Sequence, residues 1–429
     1  MSNSLLSKKE LIEAGYPYGK AIEGIPFGDP KTEFLRTKPD HIVYQPKNLA
    51  RGDTGNEHFL VFPNKNKTKL LALWLQSTRE GSGDECIVLA QSKDGHRWSE
   101  PRVLLKTVPG VQRVRWGVPF VTESGRIYIL YRRDTQETAR TNMAGIFSDD
   151  DAETWSEPSE IPFPKTPWDP EGVLVNWVAF QVPVRDMLGN FILGITVSTS
   201  ERYKPYPPTW FWNDTHAMLM RFTNMDEDPM CEDIRFTLFP AQGISVPNPV
   251  YHGYDSCQEP SVVCLPDGRL FVLMRTLMGS PYYVLISADG DACTEPLPLR
   301  YRDGSPVLHP LSPCPVYALP DGRYVMLNHN NPGRIGHLNQ LKLEKRFNTA
   351  NYIRNPTYIS FGTFSPQGPQ GIEFDPPIPF ADTEDIAVGP KATAESCTYT
   401  SLTCFGGETV LWYPDRKFYL LGKKIPEAL

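Results

Sequence analysis

Ser92-Lys93-Asp94-Gly95-His96-Arg97-Trp98, followed at once by Ser99-Glu100-Pro101, is a phrase that this chain repeats. A second copy reads Ser148-Asp149-Asp150-Asp151-Ala152-Glu153-Thr154-Trp155 and then Ser156-Glu157-Pro158. A worn third copy runs Ser287-Ala288-Asp289-Gly290-Asp291-Ala292-Cys293 and then Thr294-Glu295-Pro296, with Cys293 at the Trp position. The physical chemistry is that of a hairpin turn. Ser and Asp side chains bond nearby backbone groups, Gly takes a positive φ, and the Trp packs beneath the turn. Three copies, each followed by a Ser/Thr-Glu-Pro step, predict a fold of repeated sheets. They carry no chemistry of their own, because their polar groups are spent on holding turns.

Composition points the same way. The 429 residues include 42 Pro and 32 Gly, and aromatics make up 11%. That balance favours short strands joined by many turns over long helices. The net charge of −7, with no long basic run, argues against nucleic acid as a partner. The eight cysteines are scattered and form no CxxC pair, so no metal site and no cofactor is expected. The N-terminal segment from Met1 to Glu10 lacks an apolar signal region, and no stretch is long and apolar enough to span a bilayer. The expectation is a cytoplasmic protein with no membrane partner; a homo-oligomer is compatible with it.

A second repeat of strand, polar turn and strand sets the architecture. Its copies run from His58 to Leu75, Trp116 to Tyr131, Trp177 to Val197, Pro260 to Arg275, Pro315 to Leu327 and Tyr399 to Tyr413. Apolar runs such as Leu270-Phe271-Val272-Leu273-Met274 read as strands buried on both faces. The spacing leaves room for two outer strands per copy. The prediction is an all-β, six-bladed β-propeller, with seven blades as the alternative if one lies within 201–244 or 333–394. A two-domain β-sandwich is the competing architecture. Residues 1–40 read as an irregular lead-in with one short helix near Lys8–Ala14. Residues 41–429 read as a single propeller domain, with His41–Gln45 adding a strand to the last blade.

In such a fold, first-strand starts and second-strand ends gather at one mouth. The starts carry His58, Arg115, Trp177, Glu259 and Tyr399; the ends carry Arg132 or Arg133, Arg275 and His329, followed by Arg334. Arg132 and Arg133 are adjacent, so in a strand they point to opposite faces. Arginines grouped in this way suit bidentate recognition of a carboxylate. The expected partner is therefore an anionic oligosaccharide. Each residue also has a structural reading: His58 as a buried strand histidine, Arg275 as an ion-pair partner, Trp177 as core.

The turn phrases resemble the Asp-box, Ser-x-Asp-x-Gly-x-x-Trp, of the sialidase superfamily. The segment Gln258-Glu259-Pro260-Ser261 to Arg275 is similar to a sialidase segment in which a Glu precedes a carboxylate-binding Arg. Tyr399-Thr400-Ser401-Leu402 resembles the family's nucleophile motif. The resemblance implies a glycoside hydrolase in which Tyr399 is the nucleophile, Glu259 its partner, and Arg275 and Arg334 the clamps. His58 would be an acid/base, and Arg115, Arg132, His329 and Trp177 would line the substrate. Asn56-Glu57-His58 stands where the family has Arg-Ile-Pro, so the first triad Arg is absent. The family's general-acid loop falls near Glu80 or Asp84, and a late family Glu falls close to Pro414. Relatives that act on rhamnosyl-glucuronate make a lyase the second expectation, and a non-catalytic carbohydrate-binding propeller the third.

Overall fold

The structure is a computed structural model that describes residues 26–48, 52–135, 140–166, 176–198, 214–249, 253–333, 354–389 and 393–426. Within them, six antiparallel sheets follow one another along the chain. The first comprises β2 (Gly55–Pro63), β3 (Leu70–Ser77), β4 (Cys86–Ser92) and β5 (Arg102–Lys106). The second comprises β6 (Arg113–Val121), β7 (Ile127–Thr135), β8 (Arg140–Ser148) and β9 (Ser159–Ile161). In the third, β10 (Asn176–Val178), β12 (Phe191–Ser198), β13 (Thr215–Phe222) and β14 (Phe236–Ile244) run in order, with β11 (Val184–Arg185) pairing β12. The fourth holds β15 (Gln258–Cys264), β16 (Leu270–Arg275), β17 (Tyr282–Ile286) and β18 (Leu297–Pro298). The fifth holds β19 (Val316–Ala318), β20 (Tyr324–Asn328), β21 (Thr357–Phe364) and β22 (Ile372–Phe374), with β23 (Ile378–Ala381) pairing β21. The last joins β24 (Ser401–Phe405), β25 (Glu408–Asp415) and β26 (Tyr419–Lys424) to β1 (His41–Tyr44).

This is the blade pattern of a six-bladed β-propeller, and the six hairpins read from the sequence each fall on the first strands of one sheet. Among the described residues, the segments in which a seventh blade was considered hold β13, β14 and β21–β23 instead, the outer strands of the third and fifth sheets. The strand expected at His41 is present as β1 and pairs antiparallel with β26. The proposed helix at Lys8–Ala14 lies outside the described residues.

The chain divides into two compact units. The first contains 1–119, 354–357 and 379–429; the second contains 120–353 and 358–378. In the first unit the core packs Phe59, Trp74, Val88, Trp412 and Leu420 together, with Trp98 of the first turn phrase against it. Each such fully buried side chain contributes roughly 1.5–3 kcal/mol. In the second unit one cluster joins Phe271, Tyr283, Tyr324 and Phe374, and another joins Leu219, Val272, Met274 and Ile286.

The repeated phrase works as its chemistry predicts. In the first copy the Asp94 carboxylate accepts from the backbone N–H groups of His96 and Arg97, both at 2.8 Å. Ser92 Oγ accepts from the Gly95 N–H at 2.8 Å, and the Trp98 indole donates to the Gly95 carbonyl. In the second copy Asp150 accepts from the Thr154 N–H and Ser148 Oγ from the Ala152 N–H, and Ala152 keeps the turn at φ 70° where the family pattern has glycine. The Thr154 hydroxyl, then the Thr154 amide and the Ser148 hydroxyl, pull the Asp150 carboxyl down to about 2. The Ser/Thr-Glu-Pro step also has a cause. The hydroxyls of Ser99, Ser156 and Thr294 accept from the N–H groups of Gln91, Phe147 and Leu285, closing each turn at its base.

Candidate active site

At the start of the first strand in four of the six blades the backbone departs from regular geometry. His58 (φ 57°), Trp116 (φ 51°), Glu259 (φ 46°) and Tyr399 (φ 61°) all take the left-handed conformation. The β2–β3 register slips between Glu57 and Leu60, and that of β15–β16 between Gln258 and Ser261. A bulge of this kind re-aims a side chain, and non-glycine residues there hold strain that the surrounding structure must impose. One backbone device thus recurs at four of the positions picked out by the sequence repeat.

In the first unit three of these residues meet. The His58 ring stacks on Tyr399, with centroids 5.0 Å apart and planes 24° apart, and lies 5.8 Å from the Trp116 ring. All three are buried. The Lys417 ammonium lies 5.2 Å from the centre of the Tyr399 ring. It donates to Glu57 at 2.8 Å and to Glu80 at 2.9 Å. Burial works against its charge, but Glu57, Glu80, Glu395 and Tyr399 together hold its pKa well above the ordinary lysine value, so it is charged at neutral pH. Burial first, and the Lys417 charge second, push His58 well below the usual histidine range. The imidazole is therefore neutral at pH 7, with the lone pair of one ring nitrogen able to accept a proton.

Around this core the polar groups pair closely. Arg354 donates to Glu395 at 2.8 Å, both buried. The Glu85 carboxylate receives Arg113 at 2.6 Å and has Arg115 at 4.0 Å, so two guanidinium groups share one carboxylate. Arg115 also lies over the Trp116 ring, 5.3 Å from its centre. Of the two acids considered in the 77–84 loop, Glu80 is the one that reaches Lys417. Asp84 instead accepts from the Thr78 N–H and hydroxyl and from the Ser82 hydroxyl, which together hold its pKa low against the upward push of burial.

The second unit holds the other candidates. Arg275 donates to Glu259 at 2.8 Å, with both side chains buried, and the Glu259 N–H donates to Thr196 Oγ1 at 2.6 Å. Burial and hydrogen bonding resolve the Arg132/Arg133 pair. Arg132 is buried, bonding Asp134 at 2.6 Å and the Trp177 carbonyl at 3.2 Å, whereas Arg133 reaches the exposed Glu160. Trp177 is 2% exposed and stacks on Phe163 at 5.3 Å. The His329 ring stacks on His309, and its Nε2 lies 3.3 Å from Ser312 Oγ. His309 Nε2 faces the Ser312 and Pro313 carbonyls, which makes His309 a loop anchor. Arg334 lies outside the described residues.

Sequence reasoning missed Lys417. It lies three residues beyond Pro414, where the family resemblance places a carboxylate. The signal was the run Asp415-Arg416-Lys417 in a strand-to-strand turn, where Arg416 and Lys417 both take positive φ and bury long cationic side chains.

The six blades make the fold a sialidase-like β-propeller. The family model described as a BNR repeat-like domain matches residues 68–356, and the chain belongs to that family. No curated protein sequence matches it. Among solved structures, the chain is similar to a leech intramolecular trans-sialidase, at TM-score 0.60 and 12% identity, covering 98% of this chain and 72% of that one. It is similar to the intramolecular trans-sialidase from Ruminococcus gnavus, at TM-score 0.57 and 13% identity, covering 89% of this chain and 97% of that one. It is also similar to the Hadza microbial sialidase Hz136, at TM-score 0.58 and 14% identity. That match covers 87% of this chain, and this chain spans 66% of the length of that one. Among the described residues no helix is long and apolar enough to cross a membrane.

Proposed function

We propose that this protein is a glycoside hydrolase that releases a terminal residue from an acidic oligosaccharide, with Tyr399 as its nucleophile. The observation that carries the reading is the arrangement of Lys417, Tyr399 and His58. A buried ammonium lies 5.2 Å from the phenol ring centre, where its charge would offset the negative charge that develops on the oxygen during attack. The same ammonium helps keep His58 in its proton-accepting form. A tyrosine starts neutral, which suits attack on a sugar that carries a carboxylate. Arg113 and Arg115, sharing one glutamate, supply the positive charge that such a carboxylate needs. Membership of the BNR family, and the likeness to proteins named as sialidases and trans-sialidases, supports a glycosidase. Asn56-Glu57-His58, in place of the family's Arg-Ile-Pro, supports an acidic sugar other than sialic acid.

A second reading rests on His58 itself. A neutral imidazole stacked against a tyrosine is a base beside an acid, the pair that β-elimination at a uronate requires. The base would remove the C5 proton and Tyr399 would protonate the leaving oxygen. The products separate the two readings. The chain is incubated with sialosides, rhamnosyl-glucuronides and other acidic oligosaccharides, and released sugar is followed together with ultraviolet absorbance. Release without absorbance is the expected result. Absorbance rising with release makes the protein a lyase. Binding with no turnover on any substrate overturns both in favour of a carbohydrate-binding propeller.

A further inference from the structure

Away from Tyr399, the first unit gathers three metal-ligating side chains that are remote in sequence: His41, His96 and Glu408. We infer that they form a zinc site that clamps the last sheet to the first Asp-box turn. His41 starts β1, Glu408 starts β25, and His96 sits in the turn between β4 and β5. The ligand atoms of all three lie within 4.8 Å of one another.

The second sphere fixes which atoms face the site. His41 Nδ1 is 3.0 Å from the Gly95 carbonyl, and a carbonyl can only accept, so Nδ1 carries the proton. That leaves Nε2 aimed at Glu408 Oε2, 3.3 Å away. Nε2 is buried and forms no hydrogen bond, not even with that oxygen. Tetrahedral zinc with bonds of about 2.0–2.1 Å spaces its ligand atoms roughly 3.3–3.4 Å apart, which is the separation this pair already has. The other Glu408 oxygen, Oε1, is held by the Lys424 ammonium at 2.5 Å. One ligand oriented through its far nitrogen, and another through its far oxygen, is how second-sphere groups prepare metal ligands. The exposed His96 ring stacks on His41 at 4.3 Å and supplies the third ligand from the solvent side, where water completes the set. Two imidazoles and one carboxylate suit zinc better than calcium or magnesium. The three residues share no spacing pattern and come together only in the fold.

The test uses the whole chain, stripped with a chelator and titrated with zinc chloride by calorimetry. Cobalt(II) absorbance reports the coordination geometry. One zinc per chain is expected, with the intense visible bands of tetrahedral cobalt. His96→Ala, at an exposed position, and Glu408→Gln should each weaken zinc binding by more than about tenfold, a loss that even second-sphere changes can cause. His216→Ala is the control, because Asp214, His216 and Asp255 form the other candidate cluster. Absence of zinc uptake overturns the site and leaves a His41–Glu408 ion pair. Uptake that survives His96→Ala but is lost in His216→Ala moves the metal to the second unit and equally overturns it.

Discussion

Tyr399→Phe is expected to lower kcat on a competent acidic glycoside by about 10³-fold or more while the protein stays folded. The change removes one oxygen and nothing else. Phenylalanine keeps the ring that stacks on His58 at 5.0 Å and the face that meets Lys417 at 5.2 Å. It also meets the same backbone demand at φ 61°. A side chain that merely filled space there would tolerate the swap with little change in rate. The measurement is steady-state kinetics alongside circular dichroism. A loss in kcat with KM near that of the parent marks a group used in the reaction itself. Near-parental kcat removes Tyr399 from the chemistry. Because Tyr399 serves as nucleophile in one reading and proton donor in the other, product analysis has to separate hydrolysis from elimination.

The second large effect is on stability. Arg416→Met should destabilise the fold by about 3–5 kcal/mol, read as a fall in the urea midpoint. The Arg416 guanidinium is fully buried and donates to Glu33 Oε2 at 2.9 Å, the Glu33 carbonyl at 2.7 Å, the Ile386 carbonyl at 3.0 Å and Asp415 at 2.7 Å. Burial already pushes the Asp415 carboxyl upward, and Arg416 is the main charge opposing that push. Removing the cation strands the carboxylate in a low-dielectric interior. Glu33 is less exposed to the loss because Arg36 also holds it, at 2.7 and 2.8 Å. The double variant Asp415→Asn/Arg416→Met should therefore recover a large part of the loss. If Arg416→Met alone leaves the urea midpoint unchanged, this network is not what anchors the segment around Glu33 to the last sheet.

What the sequence disclosed was local. Turns such as Pro266-Asp267-Gly268 and Pro320-Asp321-Gly322, set between apolar runs, carry their geometry within a few residues, so all six hairpins were legible. The Asp-box copies were legible for the same reason, down to the alanine at position 152. The strand at His41 could be guessed from the need to complete the last blade. The unread features depend on register and on distance along the chain. Alternation said that Arg132 and Arg133 face opposite ways, but only the bonds to Asp134 and the Trp177 carbonyl show that Arg132 is the buried one. Lys417 meets Glu57 across 360 positions, and an ion pair of that span leaves no local pattern. The left-handed backbone at His58, Trp116, Glu259 and Tyr399 is likewise invisible in composition, since none of the four is glycine.

In the proposed hydrolase reaction Tyr399 forms a bond to the sugar. Intact-protein mass spectrometry after incubation with a fluorinated acidic glycosyl fluoride, which forms the intermediate faster than it hydrolyses, tests this directly. The expected result is a single glycosyl adduct that maps to the peptide containing Tyr399 and is absent from Tyr399→Phe. Turnover of an acidic oligosaccharide to an unsaturated, ultraviolet-absorbing product, with no adduct trapped on that peptide, would contradict it.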